Sequence, residues 1–119
     1  MPPLKSQIER YIRKWVPIVG LSHWDVKVGY NLKKNSPTFA MATTHYKYNE
    51  LYLDFNLYKI RDELSTMDTE KLVLHELCHA PLAALSASAT GHRSEKMVSY
   101  LDEQATSTMA QALWRAYHA

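Results

Sequence analysis

The residues of this chain best equipped for chemistry are His75-Glu76-Leu77-Cys78-His79, two imidazoles four positions apart with a carboxylate between them. On a helix, positions i and i+4 lie one above the other on one face, so both rings can reach a single metal ion. Glu76 is turned about 100° from His75 around such a helix, which suits a base acting on a water better than a third ligand. The pattern points to metal-assisted hydrolysis, with zinc as the metal.

Such a pair needs a helix, and the segment Thr69 to Ala80 reads as one. Leu72, Val73, Leu77 and Ala80 recur at helical spacing, with Asp68 and Thr69 as alternative N-caps. Pro81 removes a backbone donor and clashes with the carbonyl of Leu77, so a kink or an end is expected just after His79. Both histidines lie before that break. Cys78 is one step from His79 and three from His75, a position on the flank of the helix, where packing is expected in place of ligation. As the only cysteine it excludes an intramolecular disulfide and fits a reducing compartment.

Two histidines do not by themselves hold a catalytic zinc, whose usual site has three protein ligands and an open position. The downstream candidates are His92, Glu95, Asp102 and Glu103. Periodicity does not choose between Asp102 and Glu103, because small or apolar residues surround both faces of the last helix. Glu103 has the longer reach, and Thr106 stands one turn further on, where its hydroxyl can support a carboxylate or a histidine.

The elements that must position these groups follow from periodicity. Leu4 to Val19 predicts a helix with Ile8, Tyr11, Ile12, Trp15 and Val19 on one side; Pro17 should distort its last turn or stop it near Val16, and Gly20 is the expected exit. Trp24, Val26, Val28 and Tyr30 then alternate with polar residues, the pattern of a strand buried on one side. Lys33 to Pro37 reads as a turn. Two more strands are expected over Phe39–Tyr46 and Leu51–Phe55, joined around Lys47 to Glu50, followed by a short helix from Asn56 to Leu64. The last helical stretch runs from about Ser94 to Tyr117. One helix, three strands and then helices predict an α+β fold around a three-stranded, mainly antiparallel sheet.

Composition sets the outer limits. With 119 residues, 46 % hydrophobic and 22 % charged, the chain fits one domain (1–119) with one modest core. A net charge of +2, spread over scattered basic residues, gives little footprint for nucleic acid. No apolar run approaches bilayer length, and the first residues lack the apolar core of a signal peptide, so a cytoplasmic location without membrane contact is expected. Trp15, Trp24 and Trp114 sit at periodic positions and read as core or rim; His23, His45 and His118 read as structural or exposed.

The order of helix, Trp-containing strand, hairpin, HExxH helix and a later helix carrying Glu103-Gln-Ala-Thr106 resembles the gluzincin metallopeptidases. The likeness is to the minimal zincin-like ones and their short relatives encoded in phages and prophages, and it covers nearly the whole chain. It implies one Zn2+ per chain held by His75, His79 and Glu103, with Glu76 as the general base in peptide-bond hydrolysis. Tyr46, Tyr100 and His92 are the candidates for a further donor to the oxyanion, with Thr106 in support. The expected partner is a peptide or protein substrate, and the strand Phe39–Tyr46 is the sheet edge on which it would lie. There, Ala40 and Ala42 either permit its close approach or pack beneath the hairpin. No residue designates an inhibitor or partner protein.

A second likeness competes. His75 to His79 followed by Gly91-His92 is similar to the SprT-like DNA-associated proteases, which would make His92 the third ligand. Arg93-Ser94 departs from the continuation expected there, and no cysteine-rich zinc ribbon follows, so Glu103 is preferred. A further alternative is a catalytically weak zinc-containing interaction domain. Glu76 argues against it, since a structural zinc site has no use for a carboxylate at that position.

Overall fold

The computed structural model describes residues 3–89 and 95–118. Leu4–Val19 form α1, whose buried residues Ile8, Tyr11, Ile12, Trp15 and Val19 make the predicted stripe. Pro17 neither stops this helix at Val16 nor leaves its end open. Gly20 adopts a left-handed φ of 88°, its N–H bonds to the carbonyl of Pro17, and the N–H of Leu21 bonds to the carbonyl of Val16. This pair of bonds closes the last turn in a Schellman motif and satisfies the carbonyls there.

The strands are β1 (Asp25–Gly29), β2 (Ala40–His45) and β3 (Glu50–Phe55), with a 3-10 turn at Tyr46–Tyr48 joining the last two. Their order in the sheet is β1-β3-β2, and β1 runs parallel to β3 while β2 runs antiparallel to it. The sheet is therefore mixed, not mainly antiparallel as the hairpin pattern suggests. The loop containing Pro37 carries the chain past β3's future place, and the most apolar strand then takes the centre. Val26 and Val28 of β1 pair in register with Leu51 and Leu53, which are buried together with Phe55. Asn56 holds the loop down, its side-chain amide donating to the carbonyls of Lys33, Ser36 and Thr38 while its oxygen caps α2 (Leu57–Glu63).

α3 spans Thr66–Ala89 and begins before the expected caps: the hydroxyl of Ser65 accepts from the N–H of Asp68. Pro81 does not end it either. The ring is exposed and costs one backbone bond, and the helix continues to Ala89. Val73, Leu74, Leu77, Cys78 and Ala80 of α3 are buried in the apolar core, and α1, β2 and the last helix, α4 (Glu95–His118), all pack on α3. The result is an α+β arrangement in which the helix bearing both histidines is the hub. Among the described residues, no helix is long and apolar enough to cross a membrane.

Glu70 ties three helices together. Its Oε2 accepts from Lys14 Nζ at 2.6 Å and from the Trp15 indole N–H at 2.8 Å on α1, and His118 Nε2 of α4 lies 3.9 Å away. Burial alone pushes the Glu70 carboxyl up, but the Lys14 and Trp15 hydrogen bonds and the charges of Lys14 and His118 outweigh it and hold the carboxyl below the ordinary range. A carboxylate whose pKa is lowered by folding contributes stability above its unfolded value, and loses it as pH falls through the folded value. Glu70→Gln is therefore expected to cost about 1 kcal/mol at pH 7, and the difference between the two proteins in urea titrations should shrink as pH falls from about 4.3 through the lowered folded value. A constant difference across that range would remove the ionic account.

Candidate metal centre

His75 and His79 project from adjacent turns of α3, and Glu103 meets them from α4. His75 Nε2 lies 3.3 Å from Glu103 Oε2, and His79 Nε2 lies 3.2 Å from Glu103 Oε1. The imidazoles stand edge to face, with centroids 5.1 Å apart and planes at 84°. One potential ligand atom from each of the three residues falls within 4.8 Å of the others. Tetrahedral nitrogen and oxygen ligands at zinc distances stand about 3.3 Å from one another, so this donor set fits a zinc ion.

The neighbours of His79 add an outer layer. Thr106, wholly buried on α4, has its hydroxyl 3.3 Å from Asp102 Oδ1 and 3.5 Å from His79 Nδ1. Asp102 Oδ1 is itself 4.0 Å from that ring nitrogen. The Thr106 hydroxyl, which donates to Asp102, thus links that carboxylate to the back of the imidazole whose Nε2 points at Glu103, a relay of the kind that orients a ring. Asp102, weighed above as a ligand, sits instead behind His79. The Asp102-to-Thr106 spacing of one helical turn was the available signal, because both had to share the face that meets α3.

Glu76 is almost fully buried, with Oε2 4.0 Å from His79 Nε2. Burial raises its carboxyl to about 7, and the negative charge of Glu103 adds to the effect. Burial also lowers the pKa of His79; His75 acts in the same direction, while Glu103 and Asp102 oppose it. Three carboxylates, Glu76, Asp102 and Glu103, gather around two imidazoles, a charge balance that a divalent cation would offset. Cys78 faces the core, and burial pushes its thiol up to about 12, so it packs as a small apolar residue.

The remaining candidates are more distant or lie elsewhere. Tyr100 is 61 % exposed on α4, one turn before Glu103. Tyr46 lies half-buried in the 3-10 turn against α3. His92 lies outside the described residues, as does the Gly91-His92 pair on which the second likeness depends; Glu95 is the first residue of α4. Ala40 and Ala42 pack inward against the core, so their size serves the approach of β2 to its neighbours. β2 is a sheet edge, paired on one side only among the described residues. Comparison of the chain with protein-family models, with curated proteins and with solved structures gives no match.

Proposed function

We propose that the chain is a zinc-dependent metallopeptidase of zincin-like, gluzincin type. The observation that carries this reading is the convergence of both Nε2 atoms on one carboxylate from a different helix, with the buried Glu76 beside them. His75, His79 and Glu103 would hold the ion. When bound, it would supply Lewis acidity to an attacking water and to the substrate carbonyl. Glu76, buried with its carboxylate 4.0 Å from His79 Nε2, would take the proton from that water and deliver it to the departing amine. Asp102 and Thr106 keep His79 turned towards the cluster. The edge of β2, unpaired among the described residues on a strand that packs on α3, supports an extended peptide added through backbone hydrogen bonds.

Zinc content measured by elemental analysis on untagged protein tests this directly. The wild type should carry one zinc per chain, Glu103→Ala should lose it, and His92→Ala should keep it. Loss on changing His92 instead would transfer the third ligand to that residue and favour the SprT-like reading. A wild type without zinc would remove the metallopeptidase reading altogether.

Asp102 offers a separate check. Asp102→Ala removes a group that orients His79 without removing a ligand, and zinc affinity is expected to fall about 10–100-fold while the stoichiometry at saturation stays at one. Competition with a chromophoric chelator measures this. An affinity unchanged within about twofold would leave Thr106 as the only support for the ring.

A further inference from the structure

A cavity of about 430 Å3 opens between α3 and α4, beside His75 and away from the Asp102–Thr106 pair. The two helices run in opposite directions here: His79 meets Asp102 and Thr106, His75 meets Glu103, and Lys71 meets Trp114. Residues before His75 on α3 therefore face residues after Glu103 on α4. The buried Leu74 and Ala110 provide an apolar floor, and Trp114 provides a wall. Trp114 packs on the wholly buried Trp15 with ring centroids 6.1 Å apart and stacks on His118 at 3.8 Å.

Lys71 from α3 and Arg115 from α4, both exposed, bring two cations to the cavity, and Ser107 and Gln111 of α4 complete the lining with neutral polar groups. Lys71 Nζ lies 5.2 Å from the centroid of the Trp114 ring. Among the described residues, no carboxylate lies within 4 Å of either cation. Glu70, the sequence neighbour of Lys71, is turned to Lys14 and Trp15. The cavity volume falls in the range of about 300–1,000 Å3 typical of ligand pockets. An apolar floor, an aromatic wall and two cations that no carboxylate of the described residues neutralises match a ligand with a short apolar stem and an anionic end.

We propose that this cavity binds a carboxylate carried by a peptide. As a substrate subsite it rests on the peptidase reading above, and there it selects peptides with a negative charge close to the bond that is cut. Lys71 is one helical turn from His75, about 6 Å along the axis, which is about two residues of extended peptide. An acidic side chain and a free C-terminus offer the same chemistry. Nucleic acid fits less well, because a phosphate backbone needs a track of cations and this groove has two in a chain of net charge +2.

The test is a titration of the full-length isotope-labelled chain, without zinc and as zinc-loaded Glu76→Gln, with acetylated hexapeptides of one neutral scaffold. One peptide carries a glutamate and an amidated end, one a free C-terminal carboxylate, one neither charge, and one a lysine and an amidated end. At least one carboxylate peptide should bind about tenfold tighter than the neutral one, the worth of one charge-assisted hydrogen bond. It should shift the indole resonance of Trp114, and whichever peptide does so identifies the source of the carboxylate. The double variant Lys71→Gln with Arg115→Gln, at two exposed positions, should abolish the preference and keep the fold. Equal binding of all four peptides, a preference that survives in the double variant, or displacement by a single-stranded DNA oligonucleotide at lower concentration would each overturn the proposal. A carboxylate preference in a chain that takes up no zinc would uphold the cavity and remove the peptidase reading. Zinc uptake and turnover with no charge preference would do the reverse.

Discussion

Glu76→Gln is expected to keep its zinc and to lose peptide hydrolysis by about 10²–10⁴-fold, the worth of a positioned general base. The amide matches the carboxylate in shape but cannot accept the proton of the attacking water. The ligands His75, His79 and Glu103 are untouched by the change. Mass spectrometry of a peptide library digest, run beside elemental analysis of the same sample, measures both halves of the expectation. Turnover within tenfold of wild type would reject Glu76 as the base. The same variant has a second readout in the absence of metal. Folding raises the Glu76 carboxyl to about 7, from an ordinary value of about 4.3, so the folded state binds more protons than the unfolded one between those values. The metal-free wild type should therefore lose stability relative to Glu76→Gln as pH rises from about 4 to about 7, a difference between two proteins from which the opposite contribution of His79 cancels.

The second large effect is structural, with a consequence for the site. Trp15 is wholly buried, donates its indole N–H to Glu70, stacks against Trp114 at 6.1 Å and meets the edge of Tyr117 at 5.8 Å. It therefore joins α1 to α3 and to the end of α4. Trp15→Ala should cost about 3–5 kcal/mol, which is a large part of the about 5–15 kcal/mol that holds a typical domain together. Urea denaturation followed by circular dichroism gives the value, and a loss under about 1 kcal/mol would show that the three helices do not depend on this contact. Trp15→Phe should fall between, retaining packing while leaving Glu70 without its indole partner. Because Glu103 reaches the histidines only through the α3–α4 contact, weaker zinc binding should accompany the lost stability.

The elements were largely legible because they depend on periodicity, which is local. The stripe of α1, the alternation of Val26 and Val28, and the apolar run Leu51, Leu53 and Phe55 each identify an element without reference to any other. Pairing is not local. The alternation of β1 reads the same whether its neighbour is β2 or β3, and only the shared burial of Val26 and Val28 with Leu51 and Leu53 selects a parallel partner. The prolines show the same limit. A rule about the helix interior predicts a distortion or stop near Val16 and a kink or end after His79, whereas α1 closes at Gly20 with its own pair of bonds and α3 runs on past Pro81 to Ala89.

By itself the sequence determined that two imidazoles share a helix face with a carboxylate beside them, since a spacing of four is a property of one helix. It also placed Glu103 and Thr106 on a later helix and favoured Glu103 by reach and by the resemblance, although periodicity left Asp102 open. The orientation itself is tertiary, because the rotation of α4 about its own axis depends on how its side chains fit against α3. With Ala110 and Thr106 buried at the contact, Glu103 comes between the two Nε2 atoms and Asp102 falls behind His79. The cavity beside His75 was decided in the same way, since Lys71 and Arg115 are 44 residues apart in the chain and meet only where two antiparallel helices bring them to one groove.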